Sequence, residues 1–145
     1  MIKFLKAEQL EPQFQNETGQ AYIIHKIHQQ DFPVFFRIYE GEELLQILIF
    51  FPIQVRPERY NAVARMLHLL NKEIDLPGFG IDEAIGLVFH RVMLPVFDKK
   101  IDAPIFKTIL NASPKICEQF FSSIVGTATS DLSFEEIIKK SQNLN

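Results

Sequence analysis

The chain has 145 residues, 47% of them hydrophobic and 23% charged, with a single cysteine and a formal net charge of −3. Such a length is expected to fold as one domain over residues 1–145 that hides roughly 70% of the surface of its unfolded form. The composition excludes a disordered tail, a collagen-like repeat and a disulfide framework, and the weak negative balance argues against a nucleic-acid backbone binder or a polybasic membrane anchor.

Residues Ile2 to Leu10 carry a weak helical stripe that Glu11 and Pro12 end, and the charges at Lys3, Lys6 and Glu8 leave no signal-peptide core, which points to a cytoplasmic protein. Gln13 to Gln20 is polar apart from Phe14 and reads as a connector. Ala21 to Gln30 and Phe32 to Tyr39 read as strands, the second with Val34, Phe36 and Ile38 on one side and Phe35 and Tyr39 on the other. After a turn at Glu40-Gly41-Glu42-Glu43, Leu44 to Phe51 has Gln46 as its only polar member. A run with no wet face predicts a central strand covered on both sides, or one whose second side another subunit covers.

Glu58 to Ile74 places Tyr60, Val63, Leu67, Leu70 and Ile74 at helical spacing, and Leu76-Pro77-Gly78 closes that helix. Phe79 to Glu83 and Leu87 to Val96 predict a hairpin around Ala84-Ile85-Gly86. Asp102 caps a further helix, Ser113-Pro114 is expected to break it, and Gly126 to stop its second half. Ser133 and Glu136 fit a capping box for a short last helix at about 133–141, beyond a core at about 21–125. The predicted fold class is α+β: a five-stranded, mainly antiparallel sheet packed with helices, in the order α-β-β-β-α-β-β-α-α.

The chemistry-bearing residues are few. His25 and His28 stand three apart on a predicted strand, so they point to opposite faces and chelate poorly, and His68 lies off its helix's apolar stripe. His90, between Phe89 and Arg91, is predicted to be a hydrogen-bonded structural residue. Glu40, Glu42, Glu43, Asp82 and Glu83 crowd convex turns, which suits solubility better than catalysis or calcium. Gly78-Phe79-Gly80 is a lone G-x-G without the rest of a nucleotide fingerprint, and Cys117 has no neighbour to activate it. No zinc-ligand spacing or nucleophile motif appears, so no catalytic, cofactor or metal residue is assigned.

What remains is apolar surface, because fourteen Phe in so short a chain is a large load. If helices cover one side of the sheet, the other is a partner surface, and the residues assigned to it are Phe35, Tyr39, Leu45, Ile47, Ile49 and Phe51. The competing reading is that the Phe side chains fill an ordinary core, and both readings stand.

The stretch from Tyr60 to Val96 combines a helix ending Leu69-Leu70-Asn71, the passage Leu76-Pro77-Gly78-Phe79-Gly80-Ile81-Asp82, and the strand Gly86-Leu87-Val88-Phe89-His90-Arg91 before Leu94-Pro95. In these residues the chain resembles the YbjN-like family of bacterial proteins, loosely described as sensory-transduction regulators, whose fold is similar to that of the CesT-like class I type III secretion chaperones. The resemblance extends over Ala21 to Val125. It implies a non-enzymatic module that binds protein, as CesT-like homodimers hold an extended effector segment along hydrophobic patches, and it brings no catalytic residue. Two features depart from it: a sequence pI of about 5.8, less acidic than many such chaperones, and the expected break at Ser113-Pro114.

The expectation is thus a cytoplasmic, homodimeric chaperone-like or adaptor protein whose partner is a protein, such as a secreted effector, with no nucleic-acid or membrane contact. Two alternatives stay open: a small ligand-binding or catalytic domain centred on His90 with Arg91 or His25 nearby, and a regulatory domain in a stress or signalling pathway, which rests on the family's label.

Overall fold

The computed structural model describes residues 1–39, 41 and 43–143. A short helix α1 (Ile2–Ala7) leads into four strands, β1 (Gln13–Gln15), β2 (Gln20–Ile27), β3 (Gln30–Ile38) and β4 (Leu44–Gln54). A 3₁₀ turn (Pro57–Arg59) opens α2 (Tyr60–Glu73), then come β5 (Phe79–Asp82), β6 (Leu87–Pro95), α3 (Ala103–Thr129) and α4 (Phe134–Asn143). The strands form one antiparallel sheet in the order β1-β2-β3-β4-β6-β5.

The α+β class and antiparallel sheet are those expected, but the sheet has six strands, not five. The added one is β1, in the segment read as a connector. Three residues with two glutamines show no alternation to read, and their pairing with Gln20, Ala21 and Tyr22 is a tertiary event. The first hairpin also turns earlier than its apolar content suggests. His28 and Gln29 both take positive φ, 50° and 64°, and form a tight turn, so His28 lies in the turn and not on a strand face. Its ring packs 5.2 Å from that of Phe121.

Among the described residues the helices lie on one face of the sheet or beyond its edge, and the core lies between. Phe32, Val34 and Phe36 from β3 and Leu45, Ile47, Ile49 and Phe51 from β4 point into it, with Val88, His90 and Val92 from β6. Aromatic edges knit the layers: Phe32 meets Phe51 at 5.2 Å, and Phe106 of α3 meets Phe4 of α1 at 4.9 Å. Each fully buried Phe contributes roughly 1.5–3 kcal/mol of transfer free energy. Arg59, also buried, donates from Nε and Nη2 to the Thr127 carbonyl at 3.1 and 2.8 Å, so a cation closes the negative end of α3.

Helix α3 corrects the expected break. It runs unbroken for 27 residues, with Pro114 inside it and Gly126 in its last turn. The buried positions Phe106, Ser113, Pro114, Cys117, Ile124, Thr127 and Ala128 keep helical phase on both sides of the proline. A lost backbone hydrogen bond and a ring clash cost ~3 kcal/mol, which the packing of a long apolar stripe outweighs. The capping predictions hold at both ends of this region. Asp102 Oδ1 accepts from the Ile105 amide at 3.0 Å, and Ser133 and Glu136 exchange the two bonds of a capping box.

Ser113 pairs this packing with a cost, since its buried Oγ has no hydrogen-bond partner. Ser113→Ala removes a desolvated hydroxyl from a helix and is expected to raise the unfolding free energy by about 1 kcal/mol. Urea denaturation reads this as a higher midpoint at an unchanged slope.

Candidate functional site

Two places compete: the surroundings of His90 and the face of the sheet that no helix covers. His90 is fully buried on the core side of β6. Its Nε2 lies 3.0 Å from the Leu76 carbonyl, and because a carbonyl only accepts, Nε2 carries the proton and Nδ1 is bare. Nδ1 has no partner, and the ring sits edge-on to Phe79 at 5.0 Å. Burial holds the imidazole below its usual pKa, partly offset by the bond to Leu76, so the neutral form is favoured.

The groups named as possible companions of His90 lie elsewhere. Arg91 points to the opposite face and is exposed, and His25 is on β2, with β3 and β4 in between. His90 is thus fully buried, and neither of the two ionisable groups expected beside it is there.

His90 belongs instead to a clasp around the connection from α2 to β5. Asn71 Oδ1 accepts from the amides of Gly78 and Phe79 at 3.2 and 3.0 Å, and its Nδ2 donates to the Phe79 carbonyl at 2.9 Å. The Arg91 amide donates to the Gly78 carbonyl at 2.9 Å. A Cβ on Gly78 would run into the Arg91 carbonyl, and one on Gly80 would sit 2.6 Å from the Phe89 ring. Asn71, Gly78, Gly80 and His90 therefore share one structural purpose.

The uncovered face is different. Tyr22, Phe35, Phe50 and Phe89 form a row across β2, β3, β4 and β6, with ring centroids 5.6, 5.9 and 6.3 Å apart in succession. The three phenylalanines are only half-buried, as is Leu48 between them, while Ile24 and Met93 beside the row are exposed. Two guanidinium groups stand among these rings. Arg37 lies 4.7 Å over Tyr39 and Arg91 lies 5.9 Å over Phe89, both within cation–π range. Gln46 is buried on this face, where its Oε1 accepts from the Tyr39 hydroxyl at 3.1 Å.

A family model described as "Putative bacterial sensory transduction regulator" matches residues 1–125. The chain belongs to the YbjN family. The YbjN match takes in all six strands and leaves α4 outside it. The YbjN description names a regulator and no reaction. None of the curated proteins matches the chain.

Of the six residues assigned to a partner surface, Phe35 and Tyr39 are on the open face. Leu45, Ile47, Ile49 and Phe51 are corrected: all four are buried under the helices, with at most 1% of their surface accessible, and cannot meet a partner in the folded state. Their alternate neighbours Leu48 and Phe50 face the open side instead, with Phe89 and Arg91 of β6, and the sequence reading did not single these four out. Glu43 is exposed, and Glu40 and Glu42 lie outside the described residues. Burial pushes the Cys117 thiol up to about 12, which leaves it inert as a nucleophile. Among the described residues no cluster of His, Cys, Asp and Glu is arranged to hold a metal, and no helix is long and apolar enough to cross a membrane.

Proposed function

We propose that this chain is a non-enzymatic, cytoplasmic protein-binding module of the adaptor or chaperone type, and that it takes a partner segment on the open face of its sheet. The observation that carries this reading is the row Tyr22, Phe35, Phe50 and Phe89, with Arg91 over the ring of Phe89 and Arg37 over that of Tyr39 on the same face. Half-exposed aromatic rings and arginine are the side chains that supply most binding energy at protein interfaces. Charge complementarity selects the occupant. The two guanidinium groups favour an extended segment that alternates apolar and acidic residues, its apolar side chains on the rings and its carboxylates on Arg37 and Arg91. Two arginines on a chain of net charge −3 do not track a nucleic-acid backbone. A regulator that works by holding a segment of another protein agrees with the family's description, and a secretion chaperone with an effector segment is the narrower form of the same proposal.

The test uses the purified full chain and a labelled peptide alternating Glu with Leu and Phe. Saturable binding is expected in fluorescence anisotropy, weakened about tenfold or more, roughly 1.4 kcal/mol, by Phe50→Ser or Arg91→Glu. The same peptide with Lys in place of Glu is expected not to bind. Equal binding of both peptides, or binding indifferent to Phe50→Ser, would sink the reading. A dimer in light scattering that Phe50→Ser converts to monomer would put a second copy on the face and overturn the choice of occupant.

A further inference from the structure

The helix side of β2 shows one irregularity. Ala21, Ile23, His25 and Ile27 point to the same side, and the other three are buried while His25 is exposed. No helix covers it, because a cleft of about 400 Å³ opens there between the end of α1, strands β2 and β3, and the middle of α3. The cleft is on the opposite side of the sheet from the aromatic row, so a ligand in it does not depend on a protein partner bound to that row.

Its lining divides by chemistry. Ile23, Val34, Leu110 and Pro114 make apolar walls, while Glu8, His25, Lys107 and Asn111 bring polar groups. Glu8, just after α1, and Lys107 of α3 carry opposite charges, with Oε2 and Nζ 3.7 Å apart. That is too long for a hydrogen bond, so each charge keeps donors or acceptors for a third group. Pro114 has no N–H to give the Leu110 carbonyl one turn earlier, which leaves an acceptor in the same wall.

The backbone there is also held at a cost. Gln9 takes φ 62°, a left-handed conformation that glycine usually occupies. The Gln9 amide donates to the Lys6 carbonyl and the Leu10 amide to the Leu5 carbonyl, at 3.0 and 3.1 Å. This pair of bonds closes α1 and sets Glu8, Gln9 and Leu10 along the cleft.

We propose that this cleft binds a free α-amino acid with an apolar side chain. A lone anion placed there meets Glu8, and a lone cation meets Lys107. A headgroup that carries both charges within a few ångströms satisfies both. Its carboxylate takes Lys107 and the Asn111 carboxamide, its ammonium takes Glu8, and its side chain lies on Ile23, Val34 and Pro114. The volume admits a branched aliphatic or aromatic side chain.

The probes are L-leucine, L-valine and L-phenylalanine, titrated into the full chain by calorimetry and by amide NMR. At least one is expected to bind saturably with a dissociation constant on the order of 0.1–1 mM, shifting the amides of His25 and Asn111. Removing either charge, as in 4-methylpentanoate or 3-methylbutylamine against leucine, is expected to weaken binding about tenfold or more. Lys107→Met and Glu8→Gln are each expected to do the same with the melting temperature kept, because neither side chain supports the core. The proposal is overturned if none of the three amino acids binds at roughly 10 mM. It is equally overturned if the one-charge analogues match their parent, or if both variants bind as the native chain does.

Discussion

Asn71→Ala is expected to lower the unfolding free energy by about 2–4 kcal/mol, measured by urea denaturation. The side chain makes three hydrogen bonds to the backbone of Gly78 and Phe79, and alanine replaces none of them. Each is worth about 1 kcal/mol in the intact protein, but the loss leaves two amides and a carbonyl in a part-buried turn without their partner. Asn71→Asp separates this explanation from simple loss of volume. A carboxylate still accepts from the two amides, yet where the native side chain donates to the Phe79 carbonyl it sets oxygen against oxygen. It is therefore expected to cost about as much as alanine at neutral pH, although it is nearly isosteric. Gly78→Ala is expected to cost more than either. The neighbour its methyl meets is the Arg91 backbone carbonyl, which cannot move without parting β5 from β6. Hydrogen exchange localises the effect, with protection lost first at Gly78 and Phe79 and retained in β3 and β4. An Asn71→Ala variant as stable as the native chain would mean that the clasp holds nothing.

That clasp explains what the family-like passage of the sequence is for. An asparagine near the end of a helix, a glycine-phenylalanine entry to a strand and a histidine on the next strand look like an unspecific pattern along the chain. In the fold they converge on the α2–β5 connection. Asn71, Gly78, Gly80 and His90 of that passage therefore specify structure, whereas Phe89 and Arg91, from the same passage, stand on the open face.

The strands on the two sides of the sheet were legible to different degrees. In β3, Arg37 breaks the apolar series on the side that the structure leaves open, and Phe35 and Tyr39, read as lying opposite Val34, Phe36 and Ile38, share its parity. In β4 only Gln46 breaks the series, and its parity marks the open face as surely as Arg37 does. Leu48 and Phe50 share that parity, and Leu45, Ile47, Ile49 and Phe51 oppose it. A signal for the right assignment was therefore present. A side chain that is itself buried and bonded to Tyr39 reads as a blemish in an apolar run instead of as its wet face. The continuity of α3 was legible for a similar reason, because the apolar stripe keeps its phase across Pro114. The strand β1 and the exposure of His25 were not. Both depend on where other elements end, which periodicity within a segment does not contain.

His90 makes a second prediction, on acid stability. Burial lowers its pKa in the folded protein, whereas the unfolded chain protonates near the ordinary value of about 6.5. Between those two values the unfolded state binds more protons, so stability must fall as the pH falls. The contribution of the neutral imidazole is complete above about pH 6.5 and is lost on descent toward the folded-state pKa, with a slope of up to about 1.4 kcal/mol per pH unit. The Glu135 and Glu136 carboxylates are also held below their usual range, by hydrogen bonds at the start of α4 with help from Arg65 for Glu135, but they act only at more acidic pH. The window just below pH 6.5 therefore isolates the histidine. His90→Gln supplies the control, since its amide nitrogen reaches the position of Nε2 and can still donate to Leu76 but takes up no proton. Chemical denaturation of the native chain at pH 7.5 and 5.5 is expected to differ by about 1 kcal/mol more than that of His90→Gln. Equal pH dependence in the two proteins would show that the imidazole is open to protonation in the folded state, and that its surroundings are not a dry, filled core.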